Sequence, residues 1–429
     1  MLLNESFFGS LSKLVSFDSS LSESKENMPF GEGVYNALNY FLSLAKEMGF
    51  NTINYNNYAG EVFFGEGQEV GIIGHLDIVP PGYGWKTNPF ELTEKNGVFY
   101  GRGLCDDKAP ILLCLYALKE IKDSGIKFNK KIRLFVGCNE ETGWKDLEYL
   151  NSKTKMPDFG FSPDGNFPLC HAEKGIYIAE FKLNNLKNFT IIDSGSAINA
   201  VCAFASARVN TTLFDTISPS QFESLLKKHN LTLNEDIVES VGKSAHGSAP
   251  EEGVNAIKFL FDLFSDCGED VEHIKNCLFY DKFYVNKTTT EQGNVTFSPN
   301  LISQKQNVIC VKCDCRLPYP LTVSVLEEAF NKFNAPYTIQ EKHPTFYAPK
   351  DGWLVKNLIS AYQEIMGDKN AQPTYSSGST FARAFKEGCS FGPEMKGFGG
   401  AHIANEYATK EGLETAYKIY KKAIENIIK

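Results

Sequence analysis

Five short stretches of the chain set acids and histidines where chemistry could use them. In GHLDIVPPGYGW (74–85), His75 and Asp77 are two residues apart at the end of the apolar run EVGIIG. On a strand that offset puts both side chains on one face. Histidine with a carboxylate is a donor set of catalytic zinc sites, although a lone H-x-D also reads as a satisfied core histidine. YGRGLCDDKAP (100–110) offers Asp106 and Asp107 ahead of a helix entered through Pro110. An aspartate there is also what a helix N-terminus favours, so either Asp107 caps the helix and Asp106 projects elsewhere, or the pair serves a site. NEETG (139–143) puts Glu140 and Glu141 side by side after the apolar run RLFVG. As neighbours in a strand they point to opposite faces, so one can face a metal while the other reaches a water. FGFSPDGNFP (159–168) adds Asp164, and GGAHIANEY (399–407) adds His402 with Asn405 and Glu406 close behind. Each of these alone is a turn.

Taken together they make a different case. Three carboxylates and two histidines are a sufficient count for two metal ions sharing one bridging carboxylate. Such a pair lowers the pKa of a bound water and polarises a carbonyl for hydrolysis. A further carboxylate must then accept the water's proton and pass it to the leaving amine. The Glu140–Glu141 pair allows one member to bind metal and the other to remain unbound. Spacing does not say which.

Strand ends must deliver these residues. Helical spacing near 34–48, a short apolar strand at 69–74, a helix from Ala109 to Lys122 and a strand through KKIRLFVGCNE predict an α/β domain. Its sheet is expected to be mostly parallel and flanked by helices. Glu140 and Glu141 then sit at the carboxyl end of a central strand, where open α/β sheets place their sites.

After Gly175 the pattern changes. An alternating strand at 176–183, helices near 218–228 and 253–265, a strand at 308–318 and a helix near 322–333 predict an α+β unit with an antiparallel sheet. From about Pro344 the α/β character returns, with helices near 352–366 and 409–428. A domain inserted into another accounts for that order. The expected boundaries are 1–177 and 344–429 for the two parts of the catalytic domain and 178–343 for the insert.

The composition narrows the function classes. The chain has 429 residues, enough for two domains, with 42% hydrophobic and 22% charged residues. A net charge of −9 argues against nucleic acid or anionic membrane as a partner. The first residues lack a basic segment followed by an apolar one, and no apolar run approaches the roughly 18 residues of a membrane span. A cytoplasmic protein is expected. The 11 cysteines are odd in number and scattered, with several in apolar runs, which fits reduced, buried thiols. The cluster Cys310, Cys313 and Cys315 in VICVKCDCRLP reads as strand packing, since nothing completes a metal-finger spacing.

In order and approximate spacing, GHLDIVPPGYGW, GRGLCDDKAP, NEETG, PDGNFP…EKG and AHIANE resemble the motifs of the M20 metallopeptidases. The resemblance runs from about residue 34 to the C-terminus, and the branch it is most similar to is the dipeptidase V (PepV-like) and Sapep-type dipeptidases. It implies that His75 and Asp164 bind one metal, Glu141 and His402 the other, and that Asp106 bridges them. Asp77 would orient the His75 region, and Glu140 would be the base that activates the bridging water and then the acid for the leaving amine.

Within the insert, GKSAHGSAPEEGVNAI (242–257) resembles the lid motif whose histidine, here His246, polarises the scissile carbonyl. SGSAINAV (194–201) resembles the segment with a substrate-contacting asparagine, here Asn199. CDCRLPYP resembles the pattern whose arginine, here Arg316, grips the substrate's C-terminal carboxylate, a task that suits its bidentate fork. SSGSTFARAF (376–385) resembles a substrate loop, with Gly378, Ser379 and Thr380 near the ligand.

The resemblance implies a dipeptidase for small unblocked dipeptides, with two divalent ions: zinc as the family default, manganese or cobalt as alternatives. The long insert implies a monomer that supplies its lid histidine in cis, with a homodimer as the other plan. Ala109 after Lys108, Ser379 and Phe381 in the Gly-rich loop and Asn139 in place of an acid depart from the family pattern. An N-acyl-amino-acid deacylase keeps the chemistry and changes the substrate. A catalytically silent binding module would have lost the base or a ligand, and both are present.

Overall fold

The apolar runs 69–74 and 132–136 become neighbouring inner strands, Glu69–His75 and Lys131–Gly137, paired in parallel. Their side chains alternate between two cores, as a sheet covered on both faces requires. Ile72 and Leu134 join the larger core, while Ile73 and Phe135 join the smaller one. The larger core is closed by the helices Glu5–Val15, Glu32–Glu47, Lys108–Asp123, Trp353–Met366 and Lys410–Ile427. The smaller is closed by Leu147 and Leu150 of the helix Lys145–Lys153 and by Phe381 and Phe385.

The structure, a computed structural model, describes residues 3–283 and 285–429. The chain divides into two units. One comprises Met1–Ala172, Tyr347–Tyr375 and Thr380–Lys429, and the other Glu173–Phe346 and Ser376–Ser379.

In the first unit, four strands form the parallel centre in the order Lys131–Gly137, Glu69–His75, Phe159–Ser162, Glu387–Ser390. Ala59–Phe64 and Asn51–Tyr55 extend one side in antiparallel fashion. The α/β class expected from the sequence is therefore present. Parallel strands end on the same edge, so the segments that follow His75, Gly137, Ser162 and Ser390 all leave the sheet there. Close packing over the sheet depends on two glycines. A Cβ on Gly71 would lie 2.2 Å from Phe385 Cε1, and one on Gly160 would lie 2.5 Å from the same ring.

Two local expectations change. Asp107 occupies the N-cap position of Lys108–Asp123 but makes no capping bond. Its Oδ2 instead accepts the N–H of His75 at 3.2 Å, because that strand-end amide is buried and needs an acceptor. The strand leading to NEETG stops at Gly137, so Glu140 and Glu141 lie in a turn and strand alternation does not set their directions.

The second unit holds two four-stranded antiparallel sheets where the sequence suggested one. Thr296–Lys305, Val308–Leu317, Gly175–Asn184 and Tyr337–His343 form the first. Phe189–Ile192, Phe204–Val209, Ile237–Val241 and Thr232–Asn234 form the second, whose strands are short and partly exposed and so leave little periodicity to read. The helix expected at 322–333 spans only Ser324–Phe330. Beyond it the bonding tightens, with Lys332 N–H donating to Ala329 O. Cys313 and Cys315 are buried in this unit's core, and all eleven cysteines are free thiols. Among the described residues, no helix is long and apolar enough to cross a membrane.

Candidate functional site

His75 is the last residue of its strand and is 1% exposed. Its Nδ1–H donates to the carbonyl oxygen of Asp77 at 3.0 Å, which aims Nε2 at the acidic cluster. Nε2 is 2.9 Å from Asp106 Oδ1 and 3.8 Å from Asp164 Oδ2. The other oxygen of Asp106 is 2.8 Å from His402 Nε2, which is also 3.1 Å from Glu141 Oε2. Asp106 thus stands between two histidines, each with a second carboxylate beside it. Donor atoms of His75, Asp106 and Glu141 lie within 4.8 Å of one another, and so do those of His75, Glu140 and Asp164. Proximity alone leaves either glutamate eligible as a ligand.

The NEETG turn is held through its backbone. Asp77 Oδ1 accepts the N–H of Glu140 and Oδ2 that of Glu141, each at 3.1 Å. Asp146 Oδ2 accepts the N–H of Cys138 at 2.6 Å and of Asn139 at 2.8 Å. Both acids are buried. Consecutive amides from 138 to 141 are therefore fixed by carboxylates, which orients the two glutamates without using their side chains. Asn139 serves the same turn, its side-chain oxygen accepting the N–H of Lys145 at 3.2 Å.

The electrostatics call for positive charge. Burial, and then the nearby Asp106, push the Asp164 carboxyl up to about 8. Burial lifts Glu140 well above the usual carboxylate range, and Glu141 also rises through burial and Asp106. Asp106 is held low against the effect of burial by hydrogen bonds from His402 and His75. Hydrogen bonds to Asp106 and Glu141 raise His402 to about 11. Clustered carboxylates that repel one another, interleaved with imidazole nitrogens, fit divalent cations of the zinc, manganese or cobalt type. His75, Asp106 and Asp164 could hold one ion, and His402, Asp106 and Glu141 a second.

The sequence did not single out Glu394. It follows the strand Glu387–Ser390, with its N–H donating to Gly165 O at 2.9 Å and its carbonyl accepting the Phe167 N–H at 3.1 Å. Those bonds fasten it to the loop of Asp164. With Asp106, Asp164 and His402 it lines a cavity of about 210 Å³. Glu394 is exposed, and partial desolvation together with Asp106 raises its carboxyl. Nothing in FGPEMKG beyond a lone acid marks it.

Asn199, His246, Arg316, Gly378 and Ser379 all belong to the second unit. Ala200 forms a bridge with His246, and the N–H of Gly247 donates to Asn199 O at 2.7 Å. His246 Nδ1 is 2.6 Å from Ser248 Oγ. Arg316 is held by Asp314, with Nε to Oδ1 at 2.8 Å and Nη2 to Oδ2 at 2.9 Å, and its Nη1 reaches Ser377 O at 3.4 Å. Asp314 also explains Gly247, whose added Cβ would lie 2.4 Å from Asp314 Oδ2. The N–H of Gly378 donates to Ser376 Oγ at 3.0 Å, and Ser379 Oγ is buried with no partner among the described residues.

Comparison with known proteins adds an independent line. The chain matches the family model described as Peptidase family M20/M25/M40 over residues 71–426. It is 31% identical to a Beta-Ala-Xaa dipeptidase of Lactobacillus delbrueckii subsp. lactis, over 98% of this chain and 95% of that one. It is 29% identical to the putative dipeptidase YtjP of Bacillus subtilis (strain 168), over 94% and 92% of the two chains. Among solved structures, aminopeptidase PepT from Bacillus cereus shares the fold with a TM-score of 0.63 at 16% identity, over the full length of both chains.

Proposed function

We propose, from the premise that the chain belongs to peptidase family M20/M25/M40 and is a hydrolase of the metallopeptidase class, that it is a dipeptidase for small unblocked dipeptides. The observation that carries this reading is Glu394. Its carboxylate is exposed, feels Asp106 and His402, and lines the same cavity as Asp106, Asp164 and His402. A dipeptide brings a free α-ammonium, which such a carboxylate would pair with. An acetyl group offers nothing to pair, and a succinyl carboxylate would be repelled. The relative named Beta-Ala-Xaa dipeptidase supports the same substrate class.

Two divalent ions, when bound, lower the pKa of a water and polarise the scissile carbonyl. In our reading Asp106 is shared between them, His75 and Asp164 complete one set, and Glu141 and His402 the other. The contact of Glu141 with His402 favours it as the ligand, which leaves Glu140 as general base. Glu140 then takes the proton of the attacking water and gives it to the leaving amine. Asp77 and Asp146 keep the turn in place while this happens.

The second unit is read as the lid, within the expected insert 178–343. Arg316 would take the substrate's C-terminal carboxylate, with His246 and Asn199 at the carbonyl. Asp314 and Ser377 engage three of the arginine's five N–H donors, so one each on Nη1 and Nη2 remains for a carboxylate. A monomer with zinc as its metal, working in the cytoplasm, completes the reading; eleven free thiols support a reducing compartment.

The test is a side-by-side assay of alanyl dipeptides, N-acetyl amino acids and N-succinyl amino acids with zinc, manganese or cobalt added to metal-stripped protein. Hydrolysis of the dipeptides is expected. Turnover of the acylated compounds alone would replace this reading with a deacylase.

A further inference from the structure

The stretch that ends in Glu406 contributes more than a histidine. Glu406 is 0% exposed, an unusual place for a carboxylate. Its Oε1 accepts the N–H of Cys105 at 2.6 Å and of Asp106 at 3.2 Å. Its Oε2 accepts the N–H of Gly103 at 3.1 Å and a bond from Arg102 Nη1 at 2.7 Å. The carbonyl of the same residue accepts the N–H of Gly101 at 3.2 Å. The loop 101–106 therefore hangs on one side chain and its own carbonyl, and Asp106 stands at the end of that loop.

Arg102 is equally buried, at 1% exposed, with its guanidinium 5.3 Å from the Trp85 ring and Nη2 3.4 Å from Pro81 O. Taking an ion pair out of water is an expensive way to stabilise a fold, since well-packed apolar residues do as well or better. What the pair offers is direction. The carboxylate accepts several amides from one loop at once, and the arginine balances its charge. His402 and Glu406 are four residues apart, so one short stretch both meets Asp106 Oδ2 and fixes the backbone from which Asp106 projects.

We propose that Glu406 is a positioning residue for the metal centre, aiming the shared Asp106 carboxylate through the amides of Gly103, Cys105 and Asp106, with Arg102 as its counter-charge. This rests on the reading of Asp106 as a ligand common to both ions. In Glu406→Gln the shape is kept, but an NH2 group replaces one oxygen and faces N–H groups that need an acceptor. Groups that orient metal ligands typically matter by about 10–100-fold in metal affinity or activity.

The experiment uses the full chain, stripped with a chelator and titrated with Mn2+ by calorimetry, with kcat and KM for a dipeptide measured on the reloaded protein. Melting of the metal-free proteins runs alongside. Glu406→Gln is expected to bind Mn2+ at least ~10-fold more weakly and to lose kcat with little change in KM. The double variant Arg102→Met with Glu406→Gln removes the charge pair together. It should regain melting temperature without regaining affinity. Wild-type affinity in Glu406→Gln would overturn the proposal, as would recovery of affinity in the double variant, which would reduce Glu406 to a partner for Arg102. Failure of both variants to fold would also overturn it, by assigning the pair to the fold alone. Should the wild-type chain bind no Mn2+, Zn2+ or Co2+, the metal-centre reading itself falls, an outcome distinct from the others.

Discussion

The carboxylate of Asp77 accepts the backbone N–H of Glu140 at 3.1 Å, and its second oxygen does the same for Glu141. The pair of adjacent acids is thus oriented from below by a third acid, and their side chains stay available. Asp77→Asn keeps the size but can accept through one oxygen only. We expect kcat for a dipeptide to fall about 10–100-fold while both ions are retained. Metal content and steady-state rates measured on the same preparation would check this, and an unchanged kcat would contradict it.

Glu140→Gln removes the proposed proton carrier without touching the proposed ligands. Turnover should drop by about 10²–10⁴, with metal stoichiometry at the wild-type value. Loss of an ion in this variant would instead make Glu140 a ligand and Glu141 the candidate base.

Removing the ions should loosen the first unit. Without them, Glu140, Glu141 and Asp164 are crowded carboxyls raised by burial and mutual repulsion. Chelation is expected to lower the melting temperature, and an added ion at 100 times its Kd should restore about 2.7 kcal/mol per site. A melting curve indifferent to chelator and metal would refute a cation-dependent cluster.

Gly71 lies under the ring of Phe385. Gly71→Ala forces that ring off the sheet and should cost about 1–3 kcal/mol as an overpacked core. Urea unfolding reads the loss. Stability equal to wild type would mean that the ring is not seated as described.

Glu120 gives a pH-dependent contribution. Burial acts to raise its carboxyl, but Lys421 Nζ at 2.7 Å and the Tyr417 hydroxyl at 2.5 Å outweigh it and hold the group at about 2. A depressed acid stabilises the fold above its ordinary pKa near 4.3, and the contribution is lost as pH falls toward about 2. Glu120→Gln should therefore melt below wild type at pH 7, with the gap closing through the acid range. A gap that persists unchanged at the lowest pH would argue for packing as its origin.

How far the sequence could be read depends on where each residue draws its meaning. The inner strands and the acidic cluster at their ends were legible because an apolar run followed by His75, or by Glu140 and Glu141, carries two signals in one place. Asp107 takes the N-cap position, but its side chain turns to the His75 amide across a strand-to-helix gap that local rules do not see. Glu394, Asp146 and Glu406 act by seating beside distant loops or gripping backbone amides, and no spacing along the chain encodes that. The second sheet of the second unit escaped because strands such as Thr232–Asn234 are wholly exposed and lack an apolar alternation.

The hydrogen bond from Arg102 to Glu406 spans 304 positions, and the inner strand Glu387–Ser390 also comes late in the chain. During synthesis from amino to carboxyl end, Asp106 and Glu141 emerge well before the histidine they meet, and Asp106 well before the residue that anchors its loop. A nascent chain halted at Lys386 thus lacks one strand of the parallel centre, His402 and the Glu406 anchor together. On the proposed reading of the site, hydrolytic competence would arrive only with the last tenth of translation. Metal titration of chains stalled at Lys386 and chains stalled past Lys429 on a linker would show the difference.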